Sequence, residues 1–237
     1  MERVDTKVLA ELLRKTLGVD QFAPVDIFTL VLSIDDLTLV FYPMGSKISG
    51  ICYKSAHSNL IAINSNMSLG RQRFSLAHEL YHLFFDDNIY TVSTANMNSN
   101  EINEVRANEF AANFLVPQAS LIDRVNKIKS GDKINEAHII DLEQYYGISH
   151  KAMLKMLVNL GEISEAQMDV YNKGIRTKAA KLGYETKLYE SSPGDENVKV
   201  LGHYVRIVNK LYDENSLSKS EFNYLIKEAF REDLVIE

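Results

Sequence analysis

Residues 75–87 read SLAHELYHLFFDD, with His78 and His82 four residues apart and Glu79 directly after the first histidine. Over 71–85, Phe74, Ala77, Leu80, Tyr81 and Phe84 recur at helical spacing, so the stretch reads as a helix. Residues four apart on a helix share a face one turn apart, so two imidazoles can be aimed at a single ion. Zinc accepts neutral imidazole nitrogen and prefers a tetrahedral shell, and a catalytic zinc takes three protein ligands and leaves a position for water. A glutamate next to the first histidine lies beside that water, where it can take the proton. Each position of His78-Glu79-x-x-His82 thus has a task, and the pattern is that of a metalloprotease helix. The competing reading is a solvated helix face with two histidines and no metal. The apolar setting, LAHELYHLFF, argues against it, because unpaired polar groups are costly there.

A third ligand is sought downstream. Residues 101–117, EINEVRANEFAANFLVP, read as a second strong helix ended by Pro117. Glu101, Glu104 and Glu109 compete. Ala107, Phe110, Ala111 and Phe114 mark the buried stripe. Glu104 lies one turn before Ala107 and shares its face, Glu101 sits at the frayed start, and Glu109 lies off the stripe, so helical geometry favours Glu104. Asn108, four residues on, is placed to support a ligand histidine through its other ring nitrogen.

Working outward, Val8, Leu9, Leu12, Leu13 and Leu17 form a helical stripe over 5–17, and a short helix follows Pro24. Residues 37–43, 48–54 and 59–63 are runs rich in β-branched and aromatic residues, read as three strands of a small antiparallel sheet. Residues 86–100 are polar, without period, and read as a loop. Residues 135–160 read helix, turn, helix, and further helices follow, with capping boxes at Ser164/Gln167 and Ser218/Glu221. The loop at 191–197 is the candidate linker.

Bulk composition bounds the function. The chain has 237 residues, 46% hydrophobic and 24% charged, which suits a soluble globular protein with ample core. A net charge of −6 argues against a surface coated in basic charge for nucleic acid. Cys52 is the single cysteine, no apolar run is long enough to span a bilayer, and residues 1–18 are charged throughout, so a cytoplasmic protein with no membrane role is expected.

RQRFSLAHELYHLFF, followed by E-x-x-A-N-x-F-A-A-N-F-L-V-P, resembles the ImmA/IrrE family of zinc metallopeptidases across roughly residues 5–125. The resemblance implies that His78 and His82 are zinc ligands, Glu79 the general base and Glu104 the third ligand. One departure is Tyr81, where the family usually has glycine before the second histidine. The fold then expected is α+β and mostly helical: a zincin-like core at 1–130 with the three-stranded antiparallel sheet, a helix-turn-helix-like region at 131–190 and a helical extension at 191–237. The resemblance further implies cleavage of a partner helix-turn-helix repressor or antitoxin, relieving repression of a mobile-element, phage or stress operon.

The second class of function is a regulatory DNA- or protein-binding module with a non-catalytic zinc site. AHIIDLEQYYGISHKAMLKMLVNLG resembles a helix-turn-helix that would offer His150, Lys151 and Lys155 outward, although the motif is loose and an ordinary helical hairpin is the favoured reading. Lys173, Arg176 and Lys178 add a basic stretch that could meet phosphates or an acidic partner, or be a solvated face. The intact Glu79 favours the enzyme, since a structural site has no need of a base.

Overall fold

A computed structural model describes residues 4–94, 101–129, 131, 133–194 and 197–237. The N-terminal half carries α1 (Thr6–Thr16), α2 (Ile27–Val31), β1 (Leu37–Tyr42), β2 (Ile48–Tyr53), β3 (Asn59–Asn64), α3 (Leu69–Phe85), β4 (Tyr90–Thr94), α4 (Ile102–Leu115) and α5 (Gln118–Ile128). It is followed by α6 (Glu136–Tyr146), α7 (His150–Asn159), α8 (Glu165–Tyr171), α9 (Ile175–Lys181), β5 (Lys199–Gly202), α10 (His203–Asp213) and α11 (Lys219–Glu228). Both expected capping boxes form, and Asn135 with His138 makes a third at the start of α6. No helix among the described residues is long and apolar enough to cross a membrane.

The general class is the expected mostly helical α+β, but the sheet corrects the expectation. It has five strands in the order β4-β2-β3-β1-β5, and it is mixed. β2 pairs antiparallel with β3 as expected, whereas β1 runs parallel to β3, with Leu39 opposite Ile61. Alternation places side chains on faces but does not choose a neighbour, so β3 can enter between β2 and β1 without any local signal. β5 joins β1 from the far end of the chain, with Leu201 opposite Leu39. β4 arises within the expected 86–100 loop, whose remaining residues 95–100 lie outside the described residues. Asp195 and Glu196, in the expected linker, also lie outside them.

β4 escaped notice because its pattern is inverted. Ser93, opposite Gly50, is fully buried, while Tyr90 and Val92 are exposed. A strand whose inward residues are hydroxyls does not look like a core strand. The inner face of the sheet, with Leu37, Leu39, Ile61, Ile63 and Cys52, covers α3. On the other side α3 packs on α4, and α4 on α1. The same apolar core continues through Ile139, Leu142, Tyr146, Met153, Leu154 and Leu157 of α6 and α7. A smaller cluster, Val208, Phe222 and Ile226, joins α10 to α11.

Two arginines, one buried and one half-buried, lace these layers together. Arg14 is 1% exposed and donates to the carbonyls of Phe114, Asp20 and Ala23, which ties α1 to the end of α4. The second is Arg73 of α3. It is 3.7 Å from Asp26, but its main partners are carbonyls: Nε donates to Gly147 at 2.9 Å and a terminal nitrogen to Val25 at 2.5 Å. Gly147 ends α6 with φ +64°, and a β-carbon there would stand 2.8 Å from the Arg73 Nε. Both the left-handed turn and the close approach therefore require glycine. Truncating Arg73 leaves the carbonyls of buried Val25 and half-buried Gly147 without this donor. Arg73→Leu should lower unfolding free energy by about 2–4 kcal/mol in a urea titration; a change under about 0.5 kcal/mol would show that these bonds do not hold α3 in place.

Candidate metal centre

α3 is buried on nearly every side from Phe74 to His82. His78 and His82 lie on one face, their ring centroids 5.0 Å apart and their Nε2 atoms 3.1 Å apart. α4 crosses this face and supplies Glu104, whose Oε2 is 3.5 Å from His78 Nε2 and whose Oε1 is 3.2 Å from His82 Nε2. Ligands about 2.0–2.1 Å from a tetrahedral zinc are separated by about 3.3 Å. The three separations, 3.1, 3.2 and 3.5 Å, bracket that edge, so the donor set fits such an ion. His78, His82 and Glu104 are the cluster of metal-holding groups found among the described residues.

The competing acids are placed elsewhere. Glu109 is exposed and accepts from Thr6 Oγ1 at 3.1 Å. Glu101 is the exposed N-cap residue of α4.

Each histidine is held from behind. Asn108 Oδ1 lies 3.1 Å from His78 Nδ1, and Asp86 Oδ2 lies 2.8 Å from His82 Nδ1. An oxygen acceptor at Nδ1 calls for the proton there, which leaves the Nε2 lone pair facing Glu104. Asn108 comes from the second helix as expected. Asp86 had been read mainly as a loop residue. The available signal was its position four after His82, obscured because α3 stops at Phe85 and Asp86 is the C-cap. Burial raises the Glu104 carboxyl, but bonds from His78 and His82 outweigh it and hold the group down to about 2. Burial likewise works against charge on His82, yet Glu104, Glu79 and Asp86 together raise its pKa.

Glu79 is fully buried beside the Ser93 hydroxyl, and neither carboxylate oxygen has a well-formed hydrogen bond among the described residues. Burial raises its pKa, opposed first by His78. It rests against β2: a β-carbon on Gly50 would lie 2.6 Å from Glu79 Oε1. Gly50 is thus the floor on which this carboxylate sits. Sequence reasoning missed it, since an isolated strand glycine carries no such label. A small cavity of about 20 Å³ adjoins His78, Asn108, Arg71, Ser149 and Thr94, with room for roughly one water.

Other expected residues do not meet here. Tyr81 is buried, with its ring on Phe85 and Phe110 and its hydroxyl accepting from Arg106 Nε at 2.8 Å. His150, expected to point outward, is buried: Nδ1 meets Glu143 at 2.5 Å and Nε2 meets the Tyr171 carbonyl at 3.1 Å. Phe84, at the end of the helical stripe of 71–85, is 41% exposed. Among the basic residues, Arg176 pairs with Glu190 at 2.6 Å and Lys178 with Glu136. Lys151 and Lys173 are exposed, and Lys155 is half-buried.

Comparison with known proteins gives a match to the IrrE N-terminal-like domain model of peptidase family M78 over residues 35–158. The radiation response metalloprotease IrrE of Deinococcus deserti is 36% identical over 103 residues, 41% of this chain and 35% of that relative. The match thus spans about a third of the relative's length.

If these residues form the ligand set, purified protein should hold about one zinc per chain. Glu104→Ala and His82→Ala should lose it, and Asp86→Ala and Asn108→Ala should bind it roughly 10–100-fold more weakly in a chelator competition. Glu101→Ala and Glu109→Ala should bind as wild type; a loss confined to either one would move the third ligand.

Proposed function

This chain belongs to the IrrE N-terminal-like domain family, and from that membership we propose that it is a zinc-dependent endopeptidase. The observation that carries the reading is Glu79: a fully buried carboxylate with no well-formed hydrogen bond among the described residues, directly after the first histidine of the cluster. Leaving a buried acid poorly bonded is costly, and a structural metal site gains nothing from it. A bound zinc would polarise a peptide carbonyl and acidify a water. His78, His82 and Glu104 would hold the ion, with Asn108 and Asp86 fixing the ring orientations. Glu79 would accept the proton of the attacking water and return it to the leaving amine, a task helped by burial that raises its pKa.

The substrate in this reading is a protein chain in extended form. β4 lies at one edge of the sheet, so among the described strands its outer backbone groups have no ladder partner. Thr94 at its end borders the cavity beside His78. An extended peptide could add to that edge through main-chain hydrogen bonds. The partner proposed is a helix-turn-helix repressor or antitoxin in the cytoplasm. Its support is the ImmA/IrrE resemblance of the two motif helices, and the relative's name ties that protein to a radiation response.

Glu79→Gln should lower the rate of substrate cleavage by about 10²–10⁴-fold while zinc content and fold are kept. A biological effect that survives this substitution would remove peptidase activity as its basis. Gly50→Ala pushes the carboxylate off its floor and should reduce kcat about 10–100-fold with little change in KM; unchanged kcat would show that Glu79 is free to shift.

A further inference from the structure

β4 turns hydroxyls inward where its neighbour β2 carries the floor of Glu79. Ser93 is fully buried and Thr91 half-buried. Each keeps a buried hydroxyl oxygen with no well-formed hydrogen bond among the described residues, as do both Glu79 oxygens. A poorly bonded buried hydroxyl carries a desolvation cost that an alanine at the same place would not. Packing of β4 therefore gives no reason for a serine at 93.

The ladder between β2 and β4 gives one. Ser93 pairs with Gly50, and Thr91 with Cys52. In an antiparallel pair the β-carbons of directly opposite residues stand about 4.5–5.5 Å apart. Gly50 has no β-carbon, and Glu79 Oε1 lies 2.6 Å from where one would be. The carboxylate thus occupies the slot across the ladder from Ser93. An irregularity in β2 sets this register: Ile48 pairs with Thr94 and Gly50 with Ser93, so Ser49 is the extra residue. The Ser49 hydroxyl donates to the Thr94 carbonyl at 3.1 Å and ties the end of β4 in place. Such bulges re-aim a side chain beside a site. Burial raises the Glu79 pKa and His78 opposes it; the Ser93 hydroxyl opposes it as well, as a donor beside a carboxylate does.

We propose that Ser93 is the positioning residue of the general base: its hydroxyl donates to one Glu79 oxygen and leaves the other free to accept the proton of the attacking water. The proposal rests on the peptidase reading for the role of Glu79; the hydroxyl–carboxylate bond itself does not. Catalytic hydrogen bonds are often long before substrate arrives and tighten in the complex. β4 is the edge strand on which the peptide is proposed to add, so pairing there steadies the strand that carries Ser93.

Two measurements on the full chain test this. The first is a double-mutant cycle in urea, with a chelator present so that metal contributes nothing. Ser93→Ala should lower the folding equilibrium constant about tenfold when Glu79 is intact, and by less than about threefold in a Glu79→Gln background. Thr91→Val, which removes the other inward hydroxyl, should act equally in both backgrounds. The second is cleavage, by the zinc-loaded chain, of an internally quenched peptide selected from a random library for cutting by the wild type. Ser93→Ala should lower kcat about tenfold and leave KM within about twofold. A cycle without coupling would overturn the proposal. A wild type that cuts and a Ser93→Ala variant that cuts as fast would overturn it while the peptidase reading stands. A wild type that shows the coupling and cuts no peptide would overturn the peptidase reading, and with it the role given to this bond.

Discussion

The constraint on which this structure turns is a helix buried from Phe74 to His82 that nonetheless carries two imidazoles and a carboxylate. Buried polar groups must be met by partners. Everything packed around α3 answers that demand or leaves it open in one place. α4 brings Glu104 and Asn108, the C-cap brings Asp86, and Arg73 is met by carbonyls from the α2 and α6 ends. The exception is Glu79, whose oxygens rest against Gly50 with no well-formed hydrogen bond among the described residues. The helix thus meets both imidazoles and the Arg73 guanidinium with partners and leaves the Glu79 carboxylate without a well-formed hydrogen bond among the described residues, the pattern expected of a reactive group.

The helical part after residue 130 is bound into this arrangement. α6 and α7 contribute Ile139, Leu142, Tyr146, Met153, Leu154 and Leu157 to the same core as α3. α7 turns its apolar face and His150 inward and keeps Lys151 and Asn159 exposed. What it leaves toward the metal centre is its N-terminal end and Lys151, next to Arg71. The helix-turn-helix resemblance and this packing come from the same features: a left-handed Gly147 and a buried Ile148 suit any tight helical hairpin.

Much of the site was readable in one dimension because its spacing is local. His78 and His82 are one turn apart, and Glu104 and Asn108 are one turn apart, so helical period alone puts each pair on a face. Asp86 obeys the same spacing but falls past the helix end, where the rule loses its force. Gly50 acts on Glu79 across strand-to-helix packing, and no local pattern records which side chain a strand glycine will touch. β4 was hidden by its inward hydroxyl Ser93, which faces the polar site and breaks the usual rule of apolar residues inward.

The sequence by itself determined the elements and their faces: the helical stripes, three of the five strands, the capping boxes, and the motif helix with its paired histidines. These depend on contacts within about four residues along the chain. Only the tertiary structure decided the partners: β3 parallel to β1, β5 closing the far edge, Glu104 over the histidines, Glu79 resting on Gly50, and Ser93 across the ladder from Gly50. Pairings across tens to hundreds of residues are chosen by burial and shape summed over the whole core, and no single residue carries that sum.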